Sequence, residues 1–351
     1  MLTWLKKKIV IQSMEKKKKA NPFDIEYSDN YQLPNDATSD VNNSHYFFAF
    51  DFDTKECVYF RSARRGADAF DEVWLVYRDA LGNVYRSNKD HYSKDEKNPT
   101  IVSCLEAGKR MKFTYDGFVR RAKLTTKGYV VADDSMQIPL KLEGIFVGTT
   151  PIFEFTTHMD SSVTAAAIAK EKFDKDFQNA FNAIYQIHYE QGGKITLNID
   201  LNNEKSKLND FHSIRDHSYG KRNWNFFDRY IWNIVILENG EFVHSSMMRY
   251  PVLKELQAGF IISKDIIGLK SSTSMDDIPV VGTTPNEYKV EVVFANEKKS
   301  VIEASLDFVC PFYFENDFNV NEGVCDFTVD GVRGKGIGEF AFNHDKNRWS
   351  R

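Results

Sequence analysis

Ile214-Arg215-Asp216-His217-Ser218-Tyr219-Gly220-Lys221-Arg222-Asn223-Trp224 is the stretch around which the chain is organised. It packs arginines, an acid, an imidazole, a hydroxyl, a phenol and an indole around a central glycine. Buried polar groups must find partners or cost roughly 1–3 kcal/mol each. A run this rich in hydrogen-bonding groups therefore either lines a pocket or serves as a latch. In the latch, Arg215 or Arg222 pairs with Asp216 and a backbone carbonyl holds His217. Both readings are open on residue types alone. If the stretch is extended, neighbouring side chains point to opposite faces. Arg215, His217 and Tyr219 then share one face, and Asp216 and Ser218 the other.

Working outward, short apolar runs joined by tight turns recur on both sides. Upstream are Tyr46–Phe52, Cys57–Arg61, Glu72–Arg78, Val84–Arg86, Met111–Lys123, Gly128–Ala132 and Gln137–Phe146. Downstream are Tyr230–Leu237, Glu241–His244, Gly259–Lys264, Tyr288–Ala295, Val301–Phe314, Cys325–Val329 and Ile337–Phe342. Turn signals include Asp79–Asn83, Asp116-Gly117, Gln191-Gly192-Gly193 and Asn239-Gly240. The pattern predicts a mainly β protein, two antiparallel barrel or sandwich domains, with one covering helix. That helix is expected over Ser162–Ile184, where Ala165–Phe173 is strongly helix-forming and Phe173, Phe177, Phe181 and Ile184 recur at helical spacing. The polar run Asn202–Lys207 predicts the domain boundary. The expected division is a basic tail and irregular lead-in over 1–40, one domain over 41–205 and a second over 206–345, with the central stretch at their junction.

The central stretch resembles the Arg-Asp-His-Ser-Trp-Gly-x-Arg-Asp-Trp signature of the tandem lipocalin-like superfamily, which includes carotenoid 1,2-hydratase, fungal Diels–Alder cyclases and a yeast ceramide carrier. His188-Tyr189-Glu190-Gln191 falls where that family carries Tyr-Glu-Gln. Asp330-Gly331 with Gly334-Lys335-Gly336-Ile337-Gly338-Glu339 resembles its closing strand. Two positions depart: Tyr219 stands for Trp and Asn223 for Asp. The resemblance implies lipocalin-like domains over roughly residues 40–345. It makes His217-x-Tyr219 the counterpart of the hydratases' His-x-Trp pair. Their downstream Tyr-x-Asp proton source has no counterpart, since His244-Ser245-Ser246 stands in that window.

The expected catalytic residues are His217, Tyr219 and Asp216. The expected ligand-binding residues are Arg215, Arg222, Trp224, Glu190 and Trp232. Glu190 also reads as a buried partner for Arg215 or Arg222. A barrel of about eight strands can hold one small apolar ligand. The expected function is carriage of a hydrophobic small molecule, lipid or isoprenoid-like. The alternative is a cyclase, hydratase or isomerase acting without a cofactor on a terpenoid or polyketide-like substrate, and a third reading is a structural pair of domains with no cavity.

Composition narrows the partners. With 46 Lys and Arg against 50 Asp and Glu, the net charge is −4, so the basic footprint of a nucleic-acid binder is missing. Aromatic residues reach 14%, which suits strands. Cys57, Cys104, Cys310 and Cys325 show no Cys-x-x-Cys spacing and no zinc pattern, and they read as reduced, buried thiols of a cytoplasmic protein. No metal site is expected: His212 and His217, five apart, suit neither one helical face nor one strand face. No dinucleotide fingerprint is present, since Gly334, Gly336 and Gly338 lack its spacing and context. Residues 1–19 form the one strongly basic segment. Their apolar residues do not gather on one helical face, so only weak membrane-surface contact is expected of them. The oligomeric state is not written in the sequence.

Overall fold

The computed structural model describes residues 3–348 apart from 68, 133–135, 173, 176, 178–185, 279–283 and 315–316. The chain divides into two compact units. One comprises residues 24–152 and 186–222, the other 1–23, 153–185 and 223–351.

The first unit opens with a short helix, α2 (Ile25–Asp29), capped by the Asp24 side chain, which accepts from Tyr27 N. Its strands are β1 (Val41–Phe50), β2 (Cys57–Arg65), β3 (Asp71–Arg78), β4 (Val84–Ser87), β5 (His91–Tyr92), β6 (Thr100–Glu106), β7 (Arg110–Leu124), β8 (Val130–Ala132), β9 (Ile138–Gly148), β11 (Gln186–Leu201) and β12 (Glu204–Lys221). Antiparallel pairing runs β12–β1–β2–β3–β4–β7–β9–β11 and returns to β12. The result is a closed ring of eight strands. Period-two alternation turns Phe47, Phe60, Leu75, Phe113, Phe146 and Leu197 into one buried cluster. β6 lies outside the ring, paired to the first half of β7.

The second unit is a closed eight-stranded barrel too. Its strands are β13 (Arg229–Leu237), β14 (Phe242–Tyr250), β15 (Leu253–Ile262), β16 (Ile266–Ser272), β17 (Glu287–Phe294), β18 (Lys299–Phe314), β19 (Phe318–Val329) and β20 (Val332–Asn343). Side chains such as Val235, Met247, Val290, Ile302 and Phe340 fill its interior. The unit also contains α1 (Thr3–Ala20), the short β10 (Phe153–Glu154), α3 (Phe155–His158) and α4 (Ser161–Ile168).

The mainly β architecture with two lipocalin-like domains is therefore as the sequence predicts. The helices differ in detail. The basic N-terminal segment is itself a helix and packs on α4, and its Lys18 Nζ donates to Met159 O, at the end of α3, at 2.7 Å. Trp4, Leu5 and Ile9 remain exposed and Val10 is buried. The expected helix over Ser162–Ile184 is described as α4, which ends at Ile168 and buries Ser161, Thr164, Ala165 and Ile168, the spacing of one helical face. Phe177 is buried; Phe173, Phe181 and Ile184 lie outside the described residues.

Turns explain the other differences. Asn239-Gly240 and Asp79–Asn83 do turn, with Gly240 and Gly82 at φ +85°. Asp116-Gly117 and Gln191–Gly193, by contrast, lie inside the continuous strands β7 and β11. Gly193 is there for space: a Cβ would sit 2.3 Å from Val147 O and 2.6 Å from the Phe146 ring. The true hairpin is Asn202-Asn203, at φ +52° and +69°, the left-handed pair that a two-residue turn requires. The polar run around it is thus a hairpin tip, not a domain boundary. The units do not divide at 205/206, because β12 continues from Glu204 to Lys221 as the partner of both β11 and β1. The lead-in over 1–40 likewise splits between the two units.

Gly336 tests how tightly the second barrel closes. A Cβ there would lie 1.8 Å from Ile234 O. Gly336→Ala is expected to lower stability by about 3 kcal/mol, seen as a fall in the urea midpoint at unchanged slope.

Candidate functional site

The register of the first barrel sets the site. His45 stands opposite His217, Asn43 opposite Tyr219, Tyr189 opposite His217, and Gln191 opposite Arg215. Alternation brings Arg215, His217 and Tyr219 onto one face with Asn43, His45, Tyr189 and Gln191. Asp216, Ser218, His188 and Glu190 take the other face.

A buried carboxylate from α2 anchors the first face. Asp29 accepts from Arg215 Nη1 at 2.7 Å, Arg215 Nη2 at 3.2 Å, Gly108 N at 2.7 Å and the Tyr189 hydroxyl at 2.6 Å. Arg215 Nε donates to Gln191 Oε1 at 2.9 Å, and Gln191 Nε2 in turn donates to the carbonyls of Gly108 and Thr150. Both ions are almost fully buried. The sequence expectation that Arg215 pairs with Asp216 or Glu190 is corrected: those carboxylates point the other way. Asp216 instead contacts His188 Nε2.

His217 is buried in the middle of this network. Its Nδ1 lies 2.6 Å from the Tyr189 hydroxyl and its Nε2 2.8 Å from Asn43 Oδ1. Asn43 Nδ2 donates to Tyr31 O at 3.0 Å. Tyr219 shares a 2.9 Å hydrogen bond with Ser28 Oγ and stacks on Tyr31 with ring centroids 4.1 Å apart. The His45 ring stacks on His217 at 3.8 Å. Unlike His217, His45 is only half-buried, and its ring nitrogens have no hydrogen-bond partner among the described residues.

These surroundings disfavour positive charge on both imidazoles. Burial pushes His217 well below the usual histidine range, and the neighbouring His45, Arg215 and His188 add to that effect. Burial lowers His45 to about 4, with Arg215 lowering it and Asp29 and Asp216 opposing. Burial and the Asp29 charge raise the Tyr189 phenol well above its ordinary value.

His45 opens onto a cavity of about 410 Å³. Its walls come from the end of α2 and the segment after it (Asp29, Tyr31), from β1 (Asn43, His45), from β2 (Ser62, Arg64), and from β6 and β7 (Val102, Cys104, Met111). It sits beside β6, where the first half of β7 pairs with β6 and not with β4, next to the aromatic core. The wall mixes polar and apolar groups, unlike the apolar cavity expected of a barrel that holds one small apolar ligand.

Of the predicted residues, the structure unites Arg215, His217 and Tyr219. Asp216 and Glu190 lie on the reverse face, with Arg222, which donates to Ser218 Oγ at 2.9 Å and Gln186 Oε1 at 3.1 Å. Trp224 and Trp232 belong to the second unit. There Trp224 stacks on Phe314 at 4.3 Å, and Trp232 packs on His244 at 4.5 Å. Sequence reasoning missed Asp29, Asn43, His45 and Tyr189 as members of the site. Tyr189 carried a signal, standing two residues before Gln191 on the face opposite Glu190; Asp29 carried none. Reasoning by spacing along the chain also missed a cross-strand group: His188, Glu190 and Asp216 bring donor atoms within 4.8 Å of one another.

Residues 26–344 match the protein family described as domain of unknown function (DUF7064). The chain belongs to this family. No curated protein matches the sequence. Among solved structures, the chain is similar to a protein assigned as AttH from Nitrosomonas europaea, with 11% identity, a TM-score of 0.52, and coverage of 92% of this chain and 98% of that one. It is also similar to kievitone hydratase from Nectria haematococca, with 11% identity, a TM-score of 0.50, and coverage of 90% and 94%. At such identity the likeness shows the fold, which is the tandem lipocalin-like fold that the motifs suggested. Among the described residues no helix is long and apolar enough to cross a membrane.

Two outcomes check the site's energetics. Asp29→Ala leaves the Arg215 guanidinium buried without its carboxylate and is expected to cost about 3–5 kcal/mol, read from chemical denaturation. The buried imidazoles make stability fall with acid. Their folded pKa values lie below the unfolded value of about 6.5, so the contribution is complete above that pH. It is lost as pH falls from about 6.5 towards about 4, because the unfolded chain then binds more protons. The melting temperature should drop across that window, and less steeply in His45→Gln.

Proposed function

We propose that DUF7064 chains of this kind carry out proton-transfer chemistry, of the hydratase or isomerase type, on a small oxygen-bearing molecule held in the first barrel. The observation that carries the reading is the His45 imidazole: unprotonated at neutral pH, without a hydrogen-bond partner among the described residues, and facing a cavity. An imidazole so placed starts each turnover in its base form, and once protonated it is acidic enough to give the proton back readily. Its nitrogen takes a proton from the substrate, forming N–H as C–H or O–H breaks, and the substrate keeps the electron pair. The same proton then returns to another carbon or to a departing hydroxyl. Asp29, Arg215, Tyr189 and His217 hold His45 in position through the stacked ring and set its electrostatic surroundings. Ser62 and Arg64, besides their contacts to Thr100 and Asp71, offer a further acceptor and further donors to the oxygens of a substrate, while Val102 and Met111 offer apolar contact.

Two further points support this reading over carriage of a lipid. The volume lies near the lower end of the roughly 300–1,000 Å³ typical of small-molecule sites. The polar share of the wall suits oxygen functions better than an acyl chain or a carotenoid. A fold of this kind serves kievitone hydratase, whose name describes hydration.

The test starts from small molecules that co-purify with the full-length chain, identified by native mass spectrometry and incubated with fresh protein. The expected result is conversion to an isomer or to a product differing by one water. His45→Gln should be folded by circular dichroism and slower by about 10²–10⁴-fold. Equal turnover by His45→Gln would remove His45 from the chemistry. Quantitative recovery of the unchanged molecule would make the chain a carrier.

A further inference from the structure

The reverse face of β11 and β12 holds a second group of functional side chains. His188 and Glu190 are two residues apart on β11 and so share a face. Asp216 is the direct register partner of Glu190 on β12. Cross-strand partners have Cβ atoms about 4.5–5.5 Å apart, so all three side chains converge. One donor atom from each lies within 4.8 Å of the other two. Some point lies within about 2.8 Å of all three donor atoms, since a circle of radius 4.8/√3 encloses any three points no more than 4.8 Å apart. Zinc–nitrogen and zinc–oxygen bonds are about 2.0–2.2 Å, so side-chain shifts of under about 1 Å would close the shell.

We propose that His188, Glu190 and Asp216 bind one divalent first-row transition ion, with zinc the strongest candidate. Two carboxylates set directly opposite one another on paired strands repel, and Glu190 is fully buried. A dication between them converts that repulsion into coordination. One imidazole with two carboxylates is a borderline donor set. It favours zinc, manganese or ferrous iron over calcium or magnesium, which prefer all-oxygen shells. The Arg222 guanidinium on the same face, hydrogen-bonded to Ser218 and Gln186, opposes a dication. The site therefore selects an ion that coordinates strongly. Three protein donors leave at least one position for water or another ligand, the arrangement of an open rather than a purely structural site.

The experiment uses the full-length chain, stripped with a chelator and dialysed, then titrated calorimetrically with zinc and separately with manganese. The expected result is about one zinc per chain, with manganese weaker in line with the usual metal order. Asp216→Asn and Glu190→Gln should each weaken zinc at least tenfold. Zinc should raise the melting temperature of the parent chain and not of the variants. His188→Gln removes a half-buried donor and keeps the test alive if the carboxylate variants do not fold. His45→Gln should bind zinc like the parent chain, which separates this site from the cavity. No zinc uptake, or uptake unchanged in both His188→Gln and Asp216→Asn, would overturn the proposal and leave the three side chains as an ion-pair cluster.

Discussion

The buried pair of Asp29 and Arg215 is the contact on which the first barrel's functional face depends. It joins a one-turn helix from the irregular N-terminal segment to the strand at the centre of the motif. A buried ion pair seldom adds net stability over a well-packed apolar substitute. Its value lies in geometry. Arg215 offers a rigid fork, and Asp29 fills it while also accepting from Gly108 N and the Tyr189 hydroxyl. Four donors on one carboxylate fix the end of α2 against the β6–β7 turn, β11 and β12. The cavity wall at Asp29 and Tyr31 exists because that helix end is pinned there.

Much of this was legible in the sequence, for physical reasons. Period-two alternation and the Asn-Gly turn are local properties, so strand count and β class follow from them. Alternation also correctly separated Asp216 from His217. The partner of Arg215 was not legible, because Asp29 lies 186 residues away in a segment with no strand or motif pattern. Glycines misled where their role is space rather than turning, as at Gly193. The boundary failed similarly: a polar run marks a hairpin tip as readily as a linker. His45 was hidden in an aromatic strand, where a single imidazole reads as core.

The two faces of the β11–β12 hairpin now have different chemistry. One presents an imidazole kept neutral by burial and a cavity with mixed walls. The other gathers an imidazole and two carboxylates at coordinating distance. Strand alternation alone makes this division, so a one-residue slip in the pairing of β12 would exchange the two sets. The register is held by the positive-φ Asn202-Asn203 turn at one end and by Arg222 N donating to Asp40 O at the other.

The hydrogen-bond chain through His217 carries a consequence for how the site handles protons. Asn43 Nδ2 is committed to Tyr31 O, so Asn43 presents its oxygen to His217 Nε2. That contact needs a proton on Nε2. The Tyr189 hydroxyl donates to Asp29 and so presents its oxygen to His217 Nδ1. That contact needs a proton on Nδ1. A neutral imidazole has one N–H for these two acceptors. Burial and the nearby positive groups nonetheless hold the ring neutral. The network is thus one proton short of complete: burial and charge keep out the proton that its hydrogen bonds would take. The stacked His45 ring at 3.8 Å works on the side of charge, since a proton on either imidazole disfavours one on the other.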